Sequence, residues 1–290
     1  MGAWFRGAVR HLAVMLVIAL PFLITGLLLA GTRGLAVGLY VALAVEGIAW
    51  LLSRPILVRV CAARFVSSSQ RPELIATVER LSAAAGIRAP KVAVSTLPIP
   101  NAMAAVTPRG GLLCVTEGLI GMLSPEELEA VLAHEIAHLT QPGRAAATLA
   151  AVFASLPGAI TAAAGSDLYY ELPFRRSQRR LWGGRRMRHL RNAIAKLAAP
   201  LAAILVRLST SPRGELIADA RAGDLTGAPT TLAIALRKLQ SLAGRIVAPV
   251  NPAIAHLLVI HPFGGPRLGQ LFNTHPSTPE RLAALSDRDR

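Results

Sequence analysis

Residues 131–140 read VLAHEIAHLT, and this stretch decides how the rest of the chain is interpreted. His134 and His138 are four residues apart, so on a helix they lie on one face and can offer imidazole nitrogens to one metal ion. Glu135 is turned by about 100° from His134, beside such an ion but not bound to it. This spacing is typical of zinc peptidases, in which the glutamate takes a proton from an activated water. The alternative is a surface helix with two incidental histidines.

The residues before this pattern define where its helix begins. In SPEEL, residues 124–128, Ser124 is a helix N-cap, Pro125 takes the first helical position and Glu127 completes a capping box. The glutamates also indicate that the helix begins in water. This argues against an intramembrane site-two protease, which would place the same pattern within an apolar span.

A catalytic zinc ion needs a third protein ligand. Residues 209–227, STSPRGELIADARAGDLTG, predict a second helix with a polar start. Glu215 and Asp219 share one face of this helix. Glu215 would bind zinc, and Asp219 would orient a ligand histidine through its other ring nitrogen. The alternative is a solvated acidic face.

The composition indicates a protein that lies partly in lipid. Of 290 residues, 53% are hydrophobic and 16% are charged, whereas soluble domains have about 25% charged residues. The net charge of +15 suggests an anionic membrane face or membrane topology. No nucleic acid is expected as a partner, because the basic residues adjoin apolar segments without interleaved aromatics. Cys61 and Cys114 lie in unrelated sequence contexts and are interpreted as ordinary buried thiols.

Two apolar runs, residues 11–30 and 35–53, are each long enough to cross a bilayer as a helix. The short link GTRG makes them a hairpin. Basic residues concentrate at the outer ends, so the positive-inside rule places both ends in the cytoplasm. The expected location is the inner (plasma) membrane, as a multi-pass protein. A cleaved signal peptide is the alternative, but a cut after Ala30 would have Leu28, not a small residue, three positions back.

A second hydrophobic hairpin is predicted between the two site helices. Residues 144–165 and 192–209 are apolar, and residues 166–191 between them contain eight arginines. If both segments span, those arginines face outward, against the positive-inside rule. Either that rule yields here, or the segments only dip into the membrane or pack on the protein. We favour spanning.

Together these segments predict a mainly α-helical integral membrane protein with a catalytic domain that contains a small β-sheet. Residues 71–86 predict an amphipathic helix, and short strands are predicted at 91–95, 101–106 and 112–116, forming a small β-sheet. The chain then divides into an N-terminal transmembrane hairpin (1–53), a first catalytic part (54–143), the hydrophobic hairpin (144–210) and a second catalytic part with the third zinc ligand (211–290).

Three segments in this order, HEIAH, GELIADARAG and LFNTHPSTPERLAAL (271–285), resemble the HtpX-type membrane zinc metalloproteases. These are gluzincins related to the type I CAAX prenyl proteases, so the resemblance implies a zincin-like catalytic domain. The resemblance covers nearly the whole chain. It implies a cytosol-facing endopeptidase with one zinc ion per subunit that acts in membrane-protein quality control, often under stress.

The resemblance also assigns roles to individual residues of this sequence. The zinc ligands would be His134, His138 and Glu215, with Glu135 as general base and acid. The remaining roles are an outer hydrogen-bonding partner of a ligand (Asp219), substrate or oxyanion contact (His275), substrate-edge binding (Asn101) and a structural cation that pairs with Asp219 (Arg281). The chain departs from the family at Met103, Val106 and Gly214, which puts substrate preference in doubt but removes no ligand.

The function expected from these observations is hydrolysis of peptide bonds in misfolded or exposed segments of membrane proteins. Its partners are then protein or peptide substrates and the lipid bilayer. The alternative is a non-catalytic basic membrane scaffold that binds anionic lipid, which needs neither zinc nor Glu135.

Overall fold

The computed structural model describes residues 2–97, 99–163, 201–243 and 276–286. Three parts of the chain that carry predictions lie outside the described residues: the arginine-rich segment 166–191, the first half (192–200) of the second arm of the predicted 144–210 hairpin, and His275. Statements about the structure below concern the described ranges.

The N-terminal apolar runs form one long helix with a sharp reversal. Helix α1 (Gly2–Leu51) contains two non-helical residues, Ala30 and Gly31, and Gly31 has a φ of +59°. A Cβ placed on Gly34 would overlap the Gly26 carbonyl oxygen. In a straight helix those residues would be about 12 Å apart, so the two arms are antiparallel and form the predicted hairpin. By length and composition alone, one helix (Trp4–Leu51) is long and apolar enough to cross a membrane.

The close approach of the two arms predicts that alanine is destabilising at Gly34 but not at Gly47. Gly34→Ala should lower the thermal midpoint in detergent, because its methyl group would meet backbone that cannot move cheaply. Gly47→Ala should leave the midpoint unchanged or raise it, because a Cβ there meets nothing within 4 Å and alanine favours a helix by up to about 1 kcal/mol. Equal effects at both sites would contradict the close approach of the arms.

The sheet has four strands in the order β1-β2-β4-β3. Strands β2 (Lys91–Ser95), β3 (Ala102–Thr107) and β4 (Gly110–Thr116) confirm the three predicted strands. The sequence reading missed β1 (Ala63–Phe65), whose three residues are too few to show a period. β2 and β4 are parallel, the other pairs are antiparallel, and β3 forms one edge.

Helices cover both faces of the sheet. On one face Leu113 and Val115 pack with α3 (Pro72–Ala84) and α5 (Pro125–Leu139). On the other face Leu112 packs with α2 (Ser53–Val60) and α6 (Arg144–Ala163). The remaining described helices are α4 (Glu117–Met122), α7 (201–209), α8 (Pro212–Thr226), α9 (Pro229–Ala243) and α10 (Thr278–Ser286).

The two cysteines meet on the α2 side of the sheet. Met103 and Cys114 are opposite each other on neighbouring strands, and the Cys61 Sγ lies 3.4 Å from the Met103 Sδ. Both thiols are free and buried, which confirms the interpretation as buried thiols. The pKa of Cys114 is raised well above its ordinary value, most strongly by a hydrogen bond with Cys61 and secondly by burial. A thiol held protonated in an apolar layer is a poor nucleophile.

Candidate metal centre

Helix α5 carries the histidines into the protein interior. Its start is fixed by the predicted capping box: the Glu127 N–H donates to Ser124 Oγ at 3.2 Å, and the Ser124 N–H donates to Glu127 Oε2 at 2.8 Å. All residues from Ala130 to His138 are buried. The alternative of a surface helix with incidental histidines is therefore wrong.

The two histidines and Glu215, which α8 contributes, converge on one point. His134 Nε2 and His138 Nε2 are 3.1 Å apart. Glu215 Oε1 lies 3.3 Å from His138 Nε2, and Glu215 Oε2 lies 3.7 Å from His134 Nε2. Ligand atoms at about 2.05 Å from a tetrahedral zinc ion are separated by about 3.3 Å. The three side chains thus fit a zinc ion without rearrangement.

The contacts on the far sides of the imidazoles leave the near-side nitrogens suited to a cation. His134 Nδ1 lies 2.8 Å from Asp219 Oδ1, and His138 Nδ1 lies 3.4 Å from Gln141 Oε1. Because both of these partners are acceptors, the ring proton is assigned to Nδ1 in each histidine. Both Nε2 atoms then carry lone pairs that face each other and a carboxylate. Three groups that point their lone pairs at one buried position are suited to act together as metal ligands.

Burial keeps the His134 ring neutral, as a metal ligand must be. Burial lowers the pKa of His134 and outweighs its hydrogen bond with Asp219. Burial alone would raise the pKa of Asp219, but hydrogen bonds from Arg281 and His134 lower it to about 2. Arg281 holds both carboxylate oxygens, with Nε 2.7 Å from Oδ2 and Nη2 2.6 Å from Oδ1. The predicted pairing of Arg281 with Asp219 is confirmed.

Glu135 lies beside the three ligands and is fully buried. Burial raises the pKa of its carboxyl group, while the nearby His134 and Arg144 side chains act in the opposite direction. The carboxylate is hydrogen-bonded to the backbone N–H of Ala104. Its Oε2 atom has no hydrogen-bond partner among the residues that the structure describes. A buried oxygen without a partner fits a group that acts on water or substrate.

Gln141 is a site residue that sequence reasoning missed. Its Oε1 faces His138 Nδ1, and its Nε2 donates to the Gly214 carbonyl at 2.7 Å. One side chain therefore connects the end of α5 to the residue that precedes Glu215. The only sequence signal was a polar side chain three positions after a ligand histidine, where the helix ends.

Gln141→Ala should lower zinc affinity by about tenfold to a hundredfold, because losing the partner of a ligand histidine has that typical cost. Competition with a chelator measures this directly. Thr140→Ala is the matched control, since Thr140 Oγ1 bonds only the Ala137 carbonyl in the contacts described. Equal zinc affinities for the two variants would exclude the assigned role of Gln141.

Of the other two predicted site residues, the structure describes Asn101 but not His275. Asn101 is buried at the start of β3, where its N–H donates to Thr116 Oγ1 at 2.9 Å and its Oδ1 accepts from the Ala102 N–H at 3.0 Å. It therefore directly precedes the edge strand β3, and a substrate role stays a prediction. His275 lies outside the described residues.

Known proteins give an independent comparison. A model of peptidase family M48 matches residues 68–289. The chain is 32% identical over 281 residues to the protease HtpX homolog of Salinibacter ruber, covering 96% of each chain. It is 37% identical over 280 residues to the homolog from Nostoc sp., covering 93% of this chain and 91% of the relative. The homolog from Pyrococcus abyssi is 34% identical over 289 residues, with 98% and 96% covered.

A crystal structure of Ste24p from S. mikatae covers 97% of this chain with 20% sequence identity and a TM-score of 0.48, and the chain spans 65% of that structure's length. The family match and the identities to full-length relatives carry the assignment. The chain belongs to peptidase family M48, as a zinc metalloprotease whose metal ligands are His134, His138 and Glu215.

Proposed function

We propose that this metalloprotease cuts misfolded or exposed segments of membrane proteins at the cytosolic membrane surface. The observation that carries this proposal is a contact between the apolar hairpin and the metal centre. A Cβ on Gly7, near the start of α1, would lie 2.8 Å from the Pro142 backbone. Pro142 is adjacent to Gln141 and four residues beyond His138. The active site is thus fixed to the outer end of the hairpin.

The hairpin surface supports embedding in lipid. Many large apolar side chains of α1 are exposed, including Leu16, Leu28, Val37 and Leu43, and such a surface is stable in a bilayer. Basic residues flank the two outer ends, at Arg6, Arg10, Arg54, Arg59 and Arg64, whereas the tip has Arg33. By the positive-inside rule the outer ends, and with them the metal centre, face the cytosol.

The start of the second hairpin packs on protein in this arrangement. Ala146, Leu149 and Ala150 of α6 are buried against Val14 and Ile18 of α1. We therefore propose that residues 144–210 form a hairpin beside the first, with its start covered by protein. The division of the chain into four parts, with boundaries after residues 53, 143 and 210, remains part of this proposal.

The proposed reaction uses the residues around the metal in separate roles. When bound, zinc supplies a Lewis acid that polarises the scissile carbonyl and makes water acidic. Glu135 takes the proton from the attacking water at its free Oε2 and then delivers it to the leaving amine. Asp219 holds His134 in the ligating tautomer. His275 would stabilise the developing oxyanion, and Asn101 would hold the peptide at the β3 edge.

Cleavage in sealed vesicles tests both activity and orientation. The zinc-loaded enzyme is placed in inverted and right-side-out membrane vesicles, and reduced casein is added outside. We expect cleavage in inverted vesicles without detergent and in right-side-out vesicles only after detergent, with no cleavage by His138→Ala. The reverse pattern would overturn the orientation. No cleavage of casein or of a destabilised membrane protein in any preparation would overturn the proposed function.

A further inference from the structure

The edge strand β3 directs the backbone groups of Ala104 away from the sheet. The Thr116 N–H donates to the Asn101 carbonyl at 3.0 Å, so odd-numbered residues of the strand bond to β4. The even-numbered Ala104 therefore presents its N–H and C=O groups on the side away from β4. Ala104 is fully buried, so these groups need partners from other parts of the chain.

Two charged side chains occupy the two outer groups of Ala104. Its N–H is hydrogen-bonded to the Glu135 carboxylate. Its C=O accepts from Arg144 Nε at 3.2 Å and from Arg144 Nη2 at 2.8 Å. One residue of the edge strand thus joins the proposed general base on α5 to a guanidinium at the start of α6.

The Ala104 N–H sets the direction of the Glu135 carboxylate. Glu135 is 1% exposed, and its Oε2 has no hydrogen-bond partner in the part of the chain that the structure describes. The bond from the Ala104 N–H therefore holds the other oxygen. Because the terminal torsion of a glutamate has only a weak preference of its own, the position of the Ala104 peptide decides where the free Oε2 points.

Arg144 is itself fixed at this position. Its side chain is 8% exposed, and two of its nitrogens donate to one carbonyl oxygen. The negative charges of Glu135 and Glu215 favour its positive charge in this buried setting. Moving the guanidinium off the carbonyl would leave a buried cation without these hydrogen bonds, which is strongly unfavourable.

We propose that Arg144 is a positioning residue for Glu135: it holds the Ala104 peptide so that the Ala104 N–H directs the carboxylate toward the attacking water. This inference rests on the proposed role of Glu135 as general base. Arg144 is not among the three metal ligands, and its effect reaches the reaction through one backbone residue. A displacement of about 1 Å in a reacting group can lower a rate by about a hundredfold.

Steady-state kinetics of Arg144→Met test this inference. The zinc-loaded protein cleaves quenched fluorescent casein in detergent, and kcat and KM are determined separately. We expect kcat to fall by roughly tenfold to a hundredfold, while KM and zinc content stay at the wild-type level. Wild-type kcat in a folded Arg144→Met protein would overturn the proposal. A raised KM with unchanged kcat would do so too, because it would make Arg144 a substrate contact.

Thr148→Val is the matched control. Thr148 Oγ1 accepts from the Val106 N–H at 3.2 Å, so this fully buried residue also joins α6 to the outer side of β3. Valine has nearly the same shape and removes this bond without touching residue 104, so kcat should stay at the wild-type level. Equal losses of kcat in the two variants would show a general loosening between α6 and β3, and the specific role of Arg144 would be wrong.

The same substitution in the Glu135→Gln protein shows whether Arg144 acts through Glu135. No base remains to be positioned there, so Arg144→Met should cause no further loss of the residual rate. A further loss as large as in wild type would mean that Arg144 acts independently of Glu135, against the proposal. If Glu135→Gln itself cut at the wild-type rate, the proposed base would be wrong, and that result does not depend on Arg144.

Amide exchange tests the contact without catalysis. In the metal-free protein, deuterium uptake at single amides is resolved by electron-transfer fragmentation. The Ala104 amide should exchange roughly threefold to tenfold faster in Arg144→Met than in wild type, whereas Thr148→Val should speed up exchange at Val106 instead. Equal protection of the Ala104 amide in wild type and Arg144→Met would contradict the link from Arg144 to Glu135.

Arg144→Lys keeps the test decisive should Arg144→Met not fold. Lysine keeps the positive charge but lacks the forked pair of donors. It should lower kcat by roughly threefold to tenfold, the effect of losing about one hydrogen bond, with KM and zinc content unchanged. Wild-type kcat in this variant would show that the two-nitrogen contact with Ala104 does not position the base.

Discussion

Glu135→Gln should reduce kcat/KM for peptide cleavage by about a hundredfold to ten-thousandfold, the usual contribution of a general acid or base. Zinc content should remain at the wild-type level, because Glu135 is not among the three converging ligands. The glutamine Oε1 can still accept the Ala104 N–H, so the substitution changes proton transfer and little else. Metal analysis beside initial cleavage rates in detergent measures both quantities.

Glu215→Ala provides the comparison for this result. It removes a ligand and should lose zinc and cleavage together, whereas Glu135→Gln should lose only cleavage. The metal-free Glu135→Gln protein should be at least as stable as wild type, because burial disfavours the charge that is removed. Wild-type rates in the Glu135→Gln protein would exclude this residue as the base and leave the scaffold hypothesis to be tested at the arginine-rich segment.

The parts of the site that the sequence predicted are those that depend on local spacing. The capping box at Ser124 fixes where α5 begins, and the helical period then places His134, Glu135 and His138. The same reasoning places Glu215 and Asp219 on one face of α8. In each case the deciding interactions lie within four residues, so no knowledge of tertiary packing is needed.

The contacts that the sequence reading missed depend on where elements meet in space. Gln141 bridges to Gly214, 73 positions later, and Arg144 reaches Ala104, 40 positions earlier. No periodicity encodes such pairs. The hairpin reversal shows a smaller difference: the link was expected over residues 31–34, but the break occupies Ala30 and Gly31. Gly31 alone supplies the left-handed backbone, while Gly34 stays helical and lets the arms approach.

Asp219→Ala should be the most destabilising single substitution at the site. It removes the carboxylate that both Arg281 and His134 contact, and Arg281, 3% exposed, becomes a buried cation without its partner. Breaking such a pair from one side costs about 3–5 kcal/mol. Urea unfolding of the metal-free protein in detergent measures this loss, and chelator competition should show a drop of about tenfold to a hundredfold in zinc affinity.

The dependence of folding stability on acidic pH should also change in the Asp219→Ala protein. The pKa of Asp219 is 3.8 ordinarily and about 2 in the folded chain, so this group stabilises the folded state above about pH 4. That contribution, roughly 2 kcal/mol, is lost as the pH falls through about 2. The metal-free Asp219→Ala protein should therefore show a shallower loss of stability between these pH values than wild type.

The double variant Asp219→Ala with Arg281→Met separates packing from metal binding. Removing the orphaned cation should restore much of the unfolding free energy, because an apolar side chain of similar length needs no partner in a buried site. Zinc affinity should stay low, because His134 still lacks the acceptor that fixes its tautomer. If the double variant instead regained wild-type zinc affinity, the link from Asp219 to the metal through His134 would be wrong, and the carboxylate would act only as the counter-charge of Arg281.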